Sequence, residues 1–277
     1  MILKFFKKKK ALCLNSAFFG FYAHTGFIAG LEELKFKPDA ITGCSAGALV
    51  AALYAAEIPS NEIIQVMLKI QKNDFWEGNP FSQFIKPIRQ GLKNYSGILS
   101  GKKVRNLLYP YFKRKRIENL SIPLGIAVSN ISKGTRELRT KGDILETVMC
   151  SVAFPLLFEI QNMEGEDFLD GGVSDHEPIR ELILDKKIDR IFIHEINTNS
   201  KGKTGKLKNA LGAGISIIEK ETKELKEILA EKTNTKLIRL TTNALPVGPN
   251  SMNLGIENIK KGYSTAIQNS KILLEKW

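Results

Sequence analysis

Apolar and polar positions along the chain fall into blocks that switch between a strand-like period of two and a helix-like period near 3.6. Residues 11–14, ALCL, form a short continuous apolar run that predicts a strand, and the pattern from 21 to 34 predicts an amphipathic helix. A second strand is expected at 40–42, a helix of small and apolar residues at 46–56, and another helix at about 60–72. An irregular stretch with Pro80, Pro87, Gly91 and Gly97 follows, which suits a cap or lid. A helix near 101–112 precedes IPLGIAVSNISKGTRELRT, which reads as two strands joined at Ser132 to Gly134. Residues 143–153 predict a helix that Pro155 ends, because the residue before a proline avoids the helical region. Strands are then expected near 156–161 and 166–169, a helix at 177–185, the strand RIFIHEI at 190–196, a charged helix at about 206–232, a strand at 236–240 and a closing helix from about 255.

Such alternation argues for an α/β sheet with helices on both faces, and the length of 277 residues fits one large domain. Ligands of these sheets sit beyond the carboxyl ends of the strands. Ser45 falls at one such end and Asp170 at another.

Composition changes this picture little. With 43% hydrophobic residues a sizeable core can be buried, and no repeat or low-complexity block interrupts the pattern. Cys13, Cys44 and Cys150 are odd in number and lack metal-ligand spacing, which suits a reducing compartment and hence a cytoplasmic chain. The net charge of +12 favours anionic partners in general. No nucleic-acid module or interleaving of aromatic and basic residues is present, so nucleic acid is not expected, whereas a lipid surface stays open. The start, MILKFFKKKKALCLNSAFFGF, is read as an uncleaved basic segment over residues 1–10, followed by the folded domain over 11–277. Lys4, Lys7, Lys8, Lys9 and Lys10 suit either a solvated terminus or an electrostatic anchor to an anionic membrane, with Phe5 and Phe6 entering the bilayer. No apolar run reaches the 18 residues that a transmembrane helix needs.

The candidate chemistry begins at GCSAG, residues 43–47, set between a predicted strand and a predicted helix. A serine on such a turn stands clear of the sheet, and Gly43 and Gly47 allow backbones to approach where a side chain would collide. The helix start offers free N–H groups to an oxyanion, so the arrangement suits an acyl-transfer nucleophile. Close helix packing alone would also explain the two glycines. Of the three histidines, His24 and His194 lie in helix and strand patterns and read as packed or surface residues. His176 follows Asp170 closely enough that Ser45, Asp170 and His176 formally fit a triad. Alternatively Asp170, in FLDGGVSDHEPI, takes the proton directly, with Gly171 and Gly172 turning the chain tightly around its carboxylate.

With these residues in place, the sequence resembles the patatin-like phospholipase family. GCSAG is similar to its nucleophile elbow and DGGVSDHEP to its DGG block, while SVAFPLLF, GILSGKKVRNLL and GFYAHTGFIAGLEEL resemble further family segments. The resemblance implies a three-layer sandwich with a mostly parallel central sheet, and a serine/aspartate dyad of Ser45 and Asp170 acting on fatty-acyl esters of lipids or phospholipids without metal or organic cofactor. It also implies an oxyanion hole in a glycine-rich run before the first helix. Here that run is NSAFFG: Asn15, Ser16 and Ala17 stand where glycines are expected, Phe19 replaces a basic residue, and Gly20 alone remains. Backbone N–H groups from Ser16 and Ala17 remain available in principle, but any position needing positive φ would be strained by about 1–3 kcal/mol. A lipid-binding or regulatory protein with weakened or lost catalysis is therefore the alternative reading.

Overall fold

The computed structural model describes residues 9–70, 96–198 and 206–275. Phe75, Trp76, Phe81 and Phe84, which suit either a lid or ordinary core packing, and the Lys4 to Lys8 part of the basic start lie outside the described residues.

In chain order the elements are β1 (Lys9–Leu14), α1 (Phe21–Glu33), β2 (Ala40–Cys44), α2 (Ala46–Ala55), α3 (Ser60–Lys69), β3 (Gly97–Leu99), α4 (Lys102–Phe112), β4 (Leu124–Asn130), β5 (Thr135–Arg139), α5 (Ile144–Ser151), β6 (Leu156–Phe158), β7 (Gln161–Met163) and β8 (Glu166–Asp170). The remainder comprises α6 (Arg180–Leu184), β9 (Ile188–Thr198), α7 (Lys206–Thr233), β10 (Lys236–Ala244), α8 (Gly255–Gln268) and α9 (Ser270–Leu274). The central sheet runs β10-β9-β1-β2-β4-β8-β7, with β5 also paired to β4. Its β10, β9, β1, β2 and β4 portion is parallel, and β5, β7 and β8 join antiparallel.

Period-two alternation sorts β1 between two cores. Leu12 and Leu14 pack into the larger one with Phe27, Leu31 and the apolar residues of α2, while Ala11 and Cys13 join Ile179, Leu182, Ile183 and Ala230 on the opposite face. Phe192 and its neighbours Ile191 and Ile193 divide in the same way on β9. Helices therefore cover both faces, and the layered α/β architecture matches the expectation. α2 is buried nearly all round, which its uniformly small and apolar sequence permits.

Differences from the sequence pattern have local causes. β1 begins at Lys9, two residues inside the basic run, because the Lys10 ammonium lies over the Phe36 ring and its N–H donates to Asp39. The helix expected at 177–185 shrinks to Arg180–Leu184 behind Pro178. The strand expected over 156–161 divides into β6 and β7, and β6 pairs with β3 in a separate two-stranded sheet.

The register around β4 positions the site. β5 occupies one edge of β4 over residues 126–130, so β2 and β8 must share the other. β2 pairs there up to Cys44 opposite Ala127, and β8 arrives from the opposite direction with Asp170 opposite Val128. Two strands thus meet tip to tip on one edge, and the residue after Cys44 is brought against Asp170.

α1 and α8 form the closest helix pair, through glycines. A Cβ at Gly26 would lie 1.8 Å from the Ile259 carbonyl oxygen, and one at Gly262 would lie 1.9 Å from that of Ala23. Gly262→Ala is expected to push the helices apart and to lower the unfolding free energy by about 1–3 kcal/mol, read as a lower urea midpoint at unchanged m-value.

Candidate active site

Ser45 occupies the sharp turn between β2 and α2 with φ 53° and ψ −120°, a conformation that a side-chain-bearing residue adopts only under constraint. Both neighbouring glycines are needed for close approach. A Cβ at Gly47 would sit 2.2 Å from the Leu14 carbonyl oxygen, and one at Gly43 would sit 2.6 Å from that of Gly47. α2 is thereby drawn against the end of β1, and the Ser45 side chain projects from the sheet's rim.

The Ser45 hydroxyl donates to Asp170 Oδ2 at 2.6 Å. Asp170 Oδ1 accepts the Gly172 N–H at 2.7 Å, so the turn through Gly171 and Gly172 wraps the carboxylate as expected. Gly171 has no room for a side chain, since its Cβ would lie 2.3 Å from the Ala127 carbonyl oxygen. Asp170 is 1% exposed, and its burial pushes the carboxyl up to about 7, against the opposing pull of the hydrogen bonds from Ser45 and Gly172. Cys44, directly before the serine, is fully buried, and its thiol is raised well above the usual range by desolvation and by the nearby Asp170 charge.

Ser45 opens into an apolar cleft walled by Phe19, Phe21, Leu49, Ile70, Val104 and Leu157. Ala17 and Ala46 line the same cleft next to the serine. The other two residues expected at an oxyanion hole are placed differently. The Ser16 N–H is donated to the His176 carbonyl at 2.8 Å, and the Gly20 N–H to that of Ala17 at 2.9 Å. Asn15, Ser16 and Ala17 all keep negative φ; the left-handed position of this loop is Phe19, at φ 54°. The Ser16 hydroxymethyl group fits because Gly172 lacks a Cβ, which would lie 2.7 Å from its oxygen.

A buried chain of hydrogen bonds anchors the loop from behind. His24 Nε2 bonds to the Asn15 carbonyl at 3.0 Å, His24 Nδ1 to His194 Nδ1 at 2.8 Å, and His194 Nε2 to the Thr242 hydroxyl at 2.8 Å. Thr242 in turn meets the Thr265 hydroxyl of α8 at 2.7 Å. Burial pushes His24 down to about 3 and His194 well below the usual imidazole range, so both rings are neutral. The Asn15 carbonyl can only accept, hence His24 donates from Nε2 and accepts from His194 at Nδ1. Both histidines are packed residues, one of the two readings open from the sequence.

His176 lines a separate polar recess with Glu177, Glu219 and Lys226 that shares no residue with the Ser45 cleft. Its Nδ1 lies 3.8 Å from Glu219, and the hydroxyl of Ser45 is directed to Asp170 instead. The loop carrying His176 is braced by charges that the sequence reading missed. Asp175, 2% exposed, is held by Arg136 Nε and by Lys226 Nζ, each at 2.5 Å, and Arg136 also clamps Glu181 through two hydrogen bonds of 2.7 and 2.8 Å. Those partners stand 39 and 51 positions from Asp175, too far for local spacing to reveal. Among the described residues, no group of His, Cys, Asp or Glu side chains is arranged to hold a metal ion, and no helix is long and apolar enough to cross a membrane.

Comparison with known proteins agrees with the layout. The family model described as patatin-like phospholipase matches residues 12–183. The chain is similar to 1-acylglycerol-3-phosphate O-acyltransferase Pnpla3 of Mus musculus, with 28% identity over 181 residues, covering 58% of this chain and 38% of that protein. It is also similar to lysophospholipase NTE1 of Cryptococcus neoformans, with 26% identity over 160 residues, covering 58% of this chain and 9% of that protein. The chain thus spans less than half the length of either relative. Among solved structures, VipD from Legionella pneumophila shares the fold at a TM-score of 0.56 and 15% identity, over 96% of this chain and 67% of VipD.

The raised Asp170 carboxyl links stability to pH. Its folded-state value of about 7 exceeds the ordinary carboxylate value, so its contribution is full in acid and is lost as pH rises through about 7. Asp170→Asn removes that penalty while its amide keeps a partner for both Ser45 and Gly172. Its melting temperature relative to wild type is expected to climb between about pH 4 and pH 8, measured by scanning calorimetry; a flat difference across that range would show that the carboxyl is not the titrating group.

Proposed function

The chain belongs to the patatin-like phospholipase family, and from that premise we propose that it is a serine acyl hydrolase cleaving fatty-acyl esters of lipids or phospholipids through Ser45 and Asp170. The observation that carries this reading is the 2.6 Å hydrogen bond from the Ser45 hydroxyl to Asp170, with Ser45 lining an apolar cleft. In the ionised state Asp170 accepts the Ser45 proton as Oγ attacks the ester carbonyl, and it returns that proton to the leaving alcohol oxygen. The acyl-enzyme is then opened by water, which gives its proton to the same carboxylate, and that proton passes to Ser45 Oγ as the fatty acid leaves. The oxyanion is held by the N–H groups of Ala17 and Ala46, the residues flanking Ser45 in the cleft, with that of Ala46 free at the start of α2. Ser16 and Gly20 are assigned to shaping the loop, since their N–H groups are already engaged. Acyl chains occupy the cleft wall formed by Phe21, Leu49 and Val104. Peripheral contact with an anionic membrane belongs to the same proposal, supported by the net charge of +12.

The engagement of the Ser16 N–H favours one further reading, in which the protein binds lipid esters but turns them over slowly. Loss of one oxyanion donor costs about 100- to 1,000-fold in kcat.

On a chromogenic fatty-acyl ester, Ser45→Ala and Asp170→Asn are each expected to reduce kcat by at least about 1,000-fold. The wild-type pH profile should rise through an acid limb near 7, the value to which burial raises Asp170. A fluorophosphonate probe should label the wild type and not Ser45→Ala. Labelling without turnover would select the slow-turnover reading, and undiminished hydrolysis by both variants would exclude this site.

A further inference from the structure

One tripeptide touches both members of the Ser45–Asp170 pair. The Ser151 hydroxyl, at the last residue of α5, accepts the Ser45 N–H at 3.0 Å and donates to the Ala127 carbonyl of β4 at 2.7 Å. Two residues on, the Ala153 carbonyl accepts the Asp170 N–H at 3.0 Å. Ser151 and Ala153 are both 0% exposed.

The Ser45 N–H has few alternatives. β2 ends one residue earlier at Cys44, paired with Ala127, and this N–H follows the ladder and precedes the first turn of α2. A part-buried N–H in that position calls for an acceptor, and the Ser151 hydroxyl supplies it. Ser151 is suited to the task because the direction of its own proton is dictated. The Ala127 carbonyl can only accept, so the Ser151 hydrogen goes there and its lone pairs face Ser45. The same Ala127 stands opposite Cys44 in the β2–β4 register, and Val128 beside it stands opposite Asp170. The tripeptide therefore spans the place where β2 and β8 meet, bonding to the backbone of each functional residue.

We infer that Ser151 is a positioning residue for the hydrolysis proposed above, and that Ser151 to Ala153 fix the separation of the Ser45 hydroxyl from the Asp170 carboxylate. Without the Ser151 oxygen, the strained Ser45 backbone relaxes and Oγ leaves Asp170. Displacements of about 1 Å at a reacting group can lower the rate by about 100-fold. Asp170 also loses the hydrogen bond from Ser45 that holds its pKa down, so the carboxyl titrates at higher pH.

This inference rests on the hydrolase reading, and the test separates the two. Wild type, Ser45→Ala, Ser151→Ala, Ser151→Cys and Ser151→Thr are compared on one soluble chromogenic ester, well below every melting temperature. Ser151→Ala is expected to lower kcat by about 10- to 100-fold, to leave KM within about twofold, and to move the acid limb upward. Ser151→Cys, which adds little volume and substitutes a weak acceptor, should follow it and serves if the alanine variant does not fold. Ser151→Thr keeps the oxygen and should restore the wild-type limb. If the alanine and cysteine variants melt earlier but keep the wild-type kcat and limb, Ser151 is only structural and the inference is overturned while the hydrolase reading stands. If wild type is no more active than Ser45→Ala, both are overturned.

Discussion

The site exists because two strands compete for one edge of β4. Once β5 has taken the opposite edge, β2 and β8 must divide what remains, the first pairing up to Ala127 and the second from Val128 onward. Their tips cannot overlap, so each strand ends in a turn at the point of contact, and those turns carry Ser45 and Asp170. Backbone pairing, which is insensitive to surface substitution, thereby brings together two side chains 125 positions apart. The glycines follow from the same crowding. Gly43, Gly47 and Gly171 stand where a Cβ would strike backbone atoms less than 3 Å away.

Two aspartates five positions apart show how burial is used in opposite ways. Asp175 receives Arg136 and Lys226 and acts as the ionic anchor of its loop. Asp170 is as deeply buried, yet among the described residues the hydrogen bonds of its carboxylate come from the Ser45 hydroxyl and the Gly172 amide, both uncharged. A carboxylate without a cation is costly in a protein interior, whereas a paired one is tolerated. The anchored loop follows directly on the costly group, whose carboxyl is raised to about 7 by its burial.

Much of this was legible in the chain. The switch between periods of two and 3.6 marked the major strands and helices, and GCSAG and DGG stood out because small residues clustered at the predicted strand ends. What escaped was set by distance or by the weakness of local pattern. A lone serine ending an apolar helix carries no sign that its hydroxyl bridges β4 and Ser45, and β3 is three residues long, too short for periodicity to register. Expectation for NSAFFG centred on glycines lost at Asn15, Ser16 and Ala17, yet these keep negative φ and the left-handed residue is Phe19. Sequence identified which glycines were absent; only the fold indicates which position takes a positive φ.

The line of hydrogen bonds from Asn15 through His24 and His194 to Thr242 is uncharged as well as buried. Both imidazoles titrate far below neutrality, so neither changes its charge over the interval in which Asp170 gains or loses its proton. That hydrogen-bonded line therefore stays uncharged while the carboxyl switches, and no proton is taken up by either imidazole over that interval.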